Sequence, residues 1–113
     1  MSNEQDRRAN PRIICVYPVK VFIKSTNDLI STKTIDISKG GTSFYLPKRF
    51  PDKTECLIEV RVINLQKEEK YYIESMIQSS ILDSQGFRCG IKFLQTSDYP
   101  KLMNIVEKRF NLK

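Results

Sequence analysis

The chain has 113 residues, of which 40% are hydrophobic and 28% charged, and a formal net charge of +6. That mixture suits one soluble globular domain, excludes disordered and fibrous classes, and favours an anionic partner without saying which. Histidine is absent, which removes the commonest general base and the commonest metal ligand together.

Residues 1–11 are polar, of mixed charge and without periodicity, and read as a flexible N-terminal arm. They hold no apolar segment of the secretory type, and no apolar run in the chain approaches the ~18 residues of a membrane helix. A cytoplasmic domain without membrane insertion is the expectation. From Arg12 the pattern becomes alternation: Val19, Val21 and Ile23 on one face, Lys20, Phe22 and Lys24 on the other. Pro18 bends this first strand or marks an edge. Ser25 to Asp28 is a turn. Leu29 to Ser38 is a second strand, with Ile35 and Ile37 facing inward and Thr32, Thr34, Asp36 and Ser38 on the opposite face.

Lys39-Gly40-Gly41 makes a tight turn into a short third strand, Thr42 to Leu46. Pro47 to Thr54 is a loop. A fourth strand alternates Cys56, Ile58, Val60 and Val62 with Leu57, Glu59, Arg61 and Ile63. Gln66 to Lys70 reads as a charged hairpin turn. Tyr71, Ile73, Ile77 and Ile81 mark a long fifth strand, and Asp83 to Gly86 closes the next hairpin. Phe87, Cys89, Ile91 and Phe93 alternate with Arg88, Gly90 and Lys92 in a sixth. The period then changes: Tyr99, Leu102, Met103, Val106 and Phe110 form one stripe of an amphipathic helix over about 96–112. The expected fold is all-β: a six-stranded antiparallel barrel over residues 12–113, lidded by that C-terminal helix. Cys15, Cys56 and Cys89 contain no CxxC pair and read as reduced, mostly buried thiols.

Two clusters go beyond fold maintenance. Arg7-Arg8-Ala9-Asn10-Pro11-Arg12 places Arg8 and Arg12 four apart in a stretch that Pro11 keeps from being helical. Asp36-Ile37-Ser38-Lys39-Gly40-Gly41 ends the second strand; Asp36 and Ser38 share a face and would be displayed outside the barrel, while Gly41 permits backbone conformations closed to other residues. Taken alone, the first reads as a solvated basic arm and the second as turn punctuation.

Together, RxxxR followed by DxSxxG resembles the PilZ domain family, and the run Phe87-Arg88-Cys89-Gly90-Ile91-Lys92-Phe93 before a closing helix fits as well. The resemblance covers residues 7 to about 110. It implies a ligand, cyclic di-GMP, and a site made of Arg7, Arg8, Arg12, Asp36, Ser38, Gly40 and Gly41. Arginine suits such a ligand because its planar fork grips phosphate, or the O6/N7 edge of guanine, and stacks on bases. A carboxylate at Asp36 accepts from guanine N1–H and N2–H₂, donors that adenine does not offer as a pair. Arg7, directly before RxxxR, goes in this family with two intercalated ligand molecules. Some relatives carry a tryptophan near the ligand; this chain has none, and Ser75 to Ser80 contains no aromatic residue.

The resulting expectation is a cyclic di-GMP receptor without cofactor or metal. Its arm orders on the ligand and presents a changed surface to a downstream protein. One alternative is an adaptor of the same family that acts through protein contacts without ligand. A basic nucleic-acid-binding barrel is weaker, because the charges are scattered and the phenylalanines mostly occupy core-like positions. An enzyme is disfavoured: Asp36, Ser38 and the cysteines are its only candidates, and none has a histidine partner.

Overall fold

The computed structural model describes residues 13–64 and 66–95. The arm at 1–11, Arg12, and the helix expected at 96–112 lie outside the described residues. Seven strands are found: β1 (Ile13–Ile14), β2 (Pro18–Ile23), β3 (Asp28–Ile37), β4 (Gly41–Leu46), β5 (Glu55–Asn64), β6 (Lys67–Asp83) and β7 (Gly86–Gln95). All pairings are antiparallel. Their order is β1-β3-β2-β5-β6-β7-β4, and β4 pairs again with β3, so β2 to β7 form a ring. The all-β expectation agrees with this; the count differs by one.

The extra strand arises at Pro18. Without an N–H, proline cannot donate to a ladder, and it sits at the first position of β2. Upstream the chain continues along β3 irregularly, and the Thr34 side chain bridges the irregularity. Its Oγ1 accepts from the Tyr17 N–H at 2.9 Å and donates to the Cys15 carbonyl at 2.8 Å.

The core lies inside the ring. Val19, Val21 and Ile23 of β2, Ile58, Val60 and Val62 of β5, and Ile73 and Ile77 of β6 are at most 1% exposed. Each such side chain contributes roughly 1.5–3 kcal/mol by leaving water. Cys15, Cys56 and Cys89 are free thiols in this core. Burial pushes the Cys15 thiol up to about 11 and Cys56 to about 12, and raises Cys89 as well.

Two expectations need correction, and the alternation of β6 breaks. Tyr71, Ile73 and Ile77 are buried there, whereas Ile81 is 66% exposed. Ile77 pairs with Ile91 while Ser79 pairs with Gly90, so Gln78 is an extra residue that reverses the faces downstream. The same device acts in β3: Thr34 pairs with Phe44 and Asp36 with Ser43, leaving Ile35 as the bulge. Thr34 is therefore buried and Ile35 only partly so, while Ile37 joins the core. Finally, Gln66 to Lys70 is not a hairpin turn. Asn64 pairs with Lys67, Gln66 adopts φ of 67°, and the charged residues belong to β6, where Arg61 pairs with Glu68 across the strands.

Candidate functional site

The end of β3 and the turn into β4 carry Asp36, Ser38, Gly40 and Gly41. Arg7, Arg8 and Arg12 lie outside the described residues, so their placement against these groups is not seen. Asp36 and Ser38 are not displayed to solvent as alternation suggests; each is 6% exposed. Both edges of β3 are occupied at this point, since Asp36 pairs with Ile14 on β1 and with Ser43 on β4. Carboxylate and backbone of Asp36 are each bonded. Oδ1 accepts from Ser43 Oγ at 2.8 Å, and the backbone carbonyl accepts from Thr42 Oγ1 at 2.5 Å. Oδ2 lies 4.0 Å from Nη2 of Arg88 on β7.

Ser38 works within the turn. Its N–H donates to the Gly41 carbonyl at 2.7 Å, and its Oγ donates to the same oxygen at 3.3 Å. The same hydroxyl accepts from the Gly40 N–H at 3.2 Å. The Gly40 carbonyl in turn accepts from the Phe93 N–H at 2.9 Å, tying the turn to β7. Gly41 is required for a reason other than conformational freedom: among the described residues the one glycine with positive φ is Gly86. A Cβ at Gly41 would stand 1.9 Å from the Ile91 carbonyl oxygen. The glycine lets two strand backbones meet, and the turn it shares with Ser38 follows directly on the strand that carries Asp36.

Cross-strand register defines the surface beyond Asp36. One row runs Ile14, Asp36, Ser43, Gly90, Ser79 across β1, β3, β4, β7 and β6. On β4, β7 and β6 its members are small, and a Cβ at Gly90 would already stand 2.9 Å from Ser79 Oγ. The rows on either side carry Arg88, between Tyr45 and Ile81, and Lys92, between Gly41 and Met76. Both cations are exposed. The result is a low strip of small residues between two positive charges, with a fixed carboxylate at one end. A planar, anionic molecule with hydrogen-bond donors on one edge matches that pattern.

Sequence reading passed over Ser43 and Arg88. Alternation does place Arg88, Gly90 and Lys92 on one face, but only the β4–β7 register sets Arg88 beside Asp36. Among the described residues no group of three or more His, Cys, Asp or Glu could hold a metal, and no helix is long and apolar enough to cross a membrane.

Comparison with known proteins places the fold. The PilZ domain family model matches residues 6–107. Among solved structures, the motility inhibitor MotI/DgrA of Bacillus subtilis superposes with a TM-score of 0.77 at 18% identity, over 95% of this chain and 53% of that one. The PilZ domain of YcgR from Escherichia coli, solved with c-di-GMP, gives 0.65 at 19% identity over 90% of each chain. The PilZ domain of CeSA from a cellulose-synthesizing bacterium gives 0.58 at 18% identity, over 88% of this chain and 95% of that one. The chain thus spans about half the length of MotI/DgrA. A search of curated proteins finds no match. Matched by the family's sequence pattern over nearly its whole length, the chain belongs to the PilZ domain family.

Proposed function

We propose that the chain is a receptor for cyclic di-GMP. The observation that carries the reading is the Asp36 carboxylate, hydrogen-bonded by Ser43 beside the Ser38–Gly41 turn, in a PilZ-family chain that also carries the RxxxR arginines. The YcgR PilZ domain, solved with c-di-GMP, supports the choice of ligand. On this reading Asp36 accepts from guanine N1–H and N2–H₂, and Arg8 and Arg12 grip phosphate or the guanine O6/N7 edge. Ser38, Gly40 and Gly41 hold the turn beside Asp36. Arg7 offsets part of the charge of a second, intercalated ligand molecule.

The arm supplies the switch. Ordering six residues, Arg7 to Arg12, costs on the order of 6–12 kcal/mol of backbone entropy. A bidentate base contact returns roughly 1–3 kcal/mol, so several contacts must form together with phosphate neutralisation. Binding and ordering are then one event, and the ordered arm presents a new surface to a downstream protein. Titration calorimetry with cyclic di-GMP, beside GTP and cyclic GMP, tests this. Selective binding of cyclic di-GMP at two molecules per chain is expected. No binding at tens of micromolar overturns the reading, and one molecule per chain overturns the part given to Arg7.

A further inference from the structure

Arg88 belongs to neither motif, yet the fold delivers it to the motif acid. It projects from the outer face of β7, one row from Asp36, with its side chain 49% exposed while that of Asp36 is 9% exposed. The 4.0 Å separation of Nη2 from Oδ2 exceeds hydrogen-bond reach. The contact is loose and the guanidinium is half-exposed, so Arg88 can turn to another partner without losing a hydrogen bond to Asp36. Next to Arg88 on β7 stands Gly90, and across from Gly90 stand Ser43 and Ser79, so the surface beside the guanidinium is low enough for a flat ring.

We propose that Arg88 is a specificity-determining ligand contact that reads the same guanine edge as Asp36. The inference rests on the cyclic di-GMP reading above. On guanine the N1–H donor and the O6 acceptor are adjacent atoms of one edge, with N7 next in line. A carboxylate taking N1–H and N2–H₂ leaves O6 and N7 for a donor fork immediately beside it. Asp36 and Arg88 are such an acceptor and donor pair, side by side on one face and held by strands rather than by the arm. Adenine reverses the pattern, placing an amino donor where Arg88 also donates. Together the two residues reject adenine through both members, and Lys92 on the far side of the strip adds positive charge for phosphate.

Calorimetry on the full chain, on Arg88→Ala and on Arg88→Lys, with cyclic di-GMP and cyclic di-AMP as probes, tests the assignment. Thermal unfolding followed by circular dichroism checks that each variant is folded. Arg88→Ala is expected to weaken cyclic di-GMP about tenfold or more and to narrow the preference over cyclic di-AMP, at an unfolding midpoint close to that of the parent. Arg88→Lys, which keeps the charge and loses the fork, is expected to recover only part of the affinity. A parent chain that binds while Arg88→Ala binds equally well, with the same preference, overturns the role of Arg88 and leaves the ligand reading standing. A parent chain that binds neither probe overturns both.

Discussion

The Oγ of Ser43 on β4 donates a 2.8 Å hydrogen bond to Oδ1 of Asp36 on β3, and both residues are buried. The motif acid is therefore set before any ligand arrives, aimed by a side chain that belongs to no motif. Hydrogen bonds to charged groups contribute roughly 1.5–3 kcal/mol. Ser43→Ala should lower the unfolding free energy by about that amount in urea titration. It should also weaken cyclic di-GMP, because the carboxylate loses the hydrogen bond that aims it. Unchanged stability and affinity would show that Ser43 does not aim the acid.

Gly41 yields a prediction about folding rather than binding. Alanine there would bring its Cβ to within 1.9 Å of the Ile91 carbonyl, and the obstacle is backbone rather than a flexible side chain. Strands β4 and β7 must separate locally, a cost at or above the upper end of about 1–3 kcal/mol. Gly41→Ala should lower the thermal midpoint markedly, measured by circular dichroism without ligand. A midpoint equal to that of the parent would return Gly41 to a purely ligand-facing role.

The arm arginines should behave in the opposite way. Arg8→Ala and Arg12→Ala remove groups that carry binding on the proposed function, from a stretch whose sequence is polar and without periodicity. Each is expected to abolish most cyclic di-GMP binding and to shift the unfolding midpoint little. In the parent chain, saturating ligand should slow amide hydrogen exchange across residues 7–12. Exchange that stays fast at saturation would refute the ordering switch while leaving binding itself untouched.

The thiols give a pH prediction with a definite sign. Burial raises Cys15 to about 11 and Cys56 to about 12, against an ordinary thiol value of 9.0. Below about pH 9 these thiols are protonated in both folded and unfolded chains. Above it the unfolded chain gains thiolate that the folded chain cannot form, so this part of the stability is lost as pH rises from about 9 towards 11 and 12. Urea unfolding should show a falling free energy across that window, reduced in Cys56→Ser after correction for its own lower stability. At pH 8 the native thiols should react slowly with a thiol reagent and rapidly once urea unfolds the chain. Fast reaction of the native protein would contradict the burial.

Much of the ring was legible from local pattern. Val19, Val21 and Ile23, the run Cys56 to Val62, and Cys89 to Phe93 alternate because one strand face meets the core and the other meets water. Turns at Asn27 and Gly86 were legible because both positions hold positive φ, which few residue types accept readily. The family motifs were legible as residue types in order, and the family match over 6–107 agrees with them.

What alternation could not supply is any position where it breaks. The extra residues Ile35 and Gln78 each reverse the faces downstream, and a bulge has no composition of its own; it is decided by which strand lies opposite. For that reason Ile81 emerges to solvent and Thr34 goes inside. The burial of Asp36 and the use of Ser38 within its own turn likewise depend on β1 and β4 closing on both edges of β3. The sequence by itself determined the alternation of most strands and the residue types of the family's motifs. Only the tertiary structure decided that Ser43 and Arg88 stand at Asp36, because register between strands distant in sequence is set by closing the ring and not by any residue's neighbours along the chain.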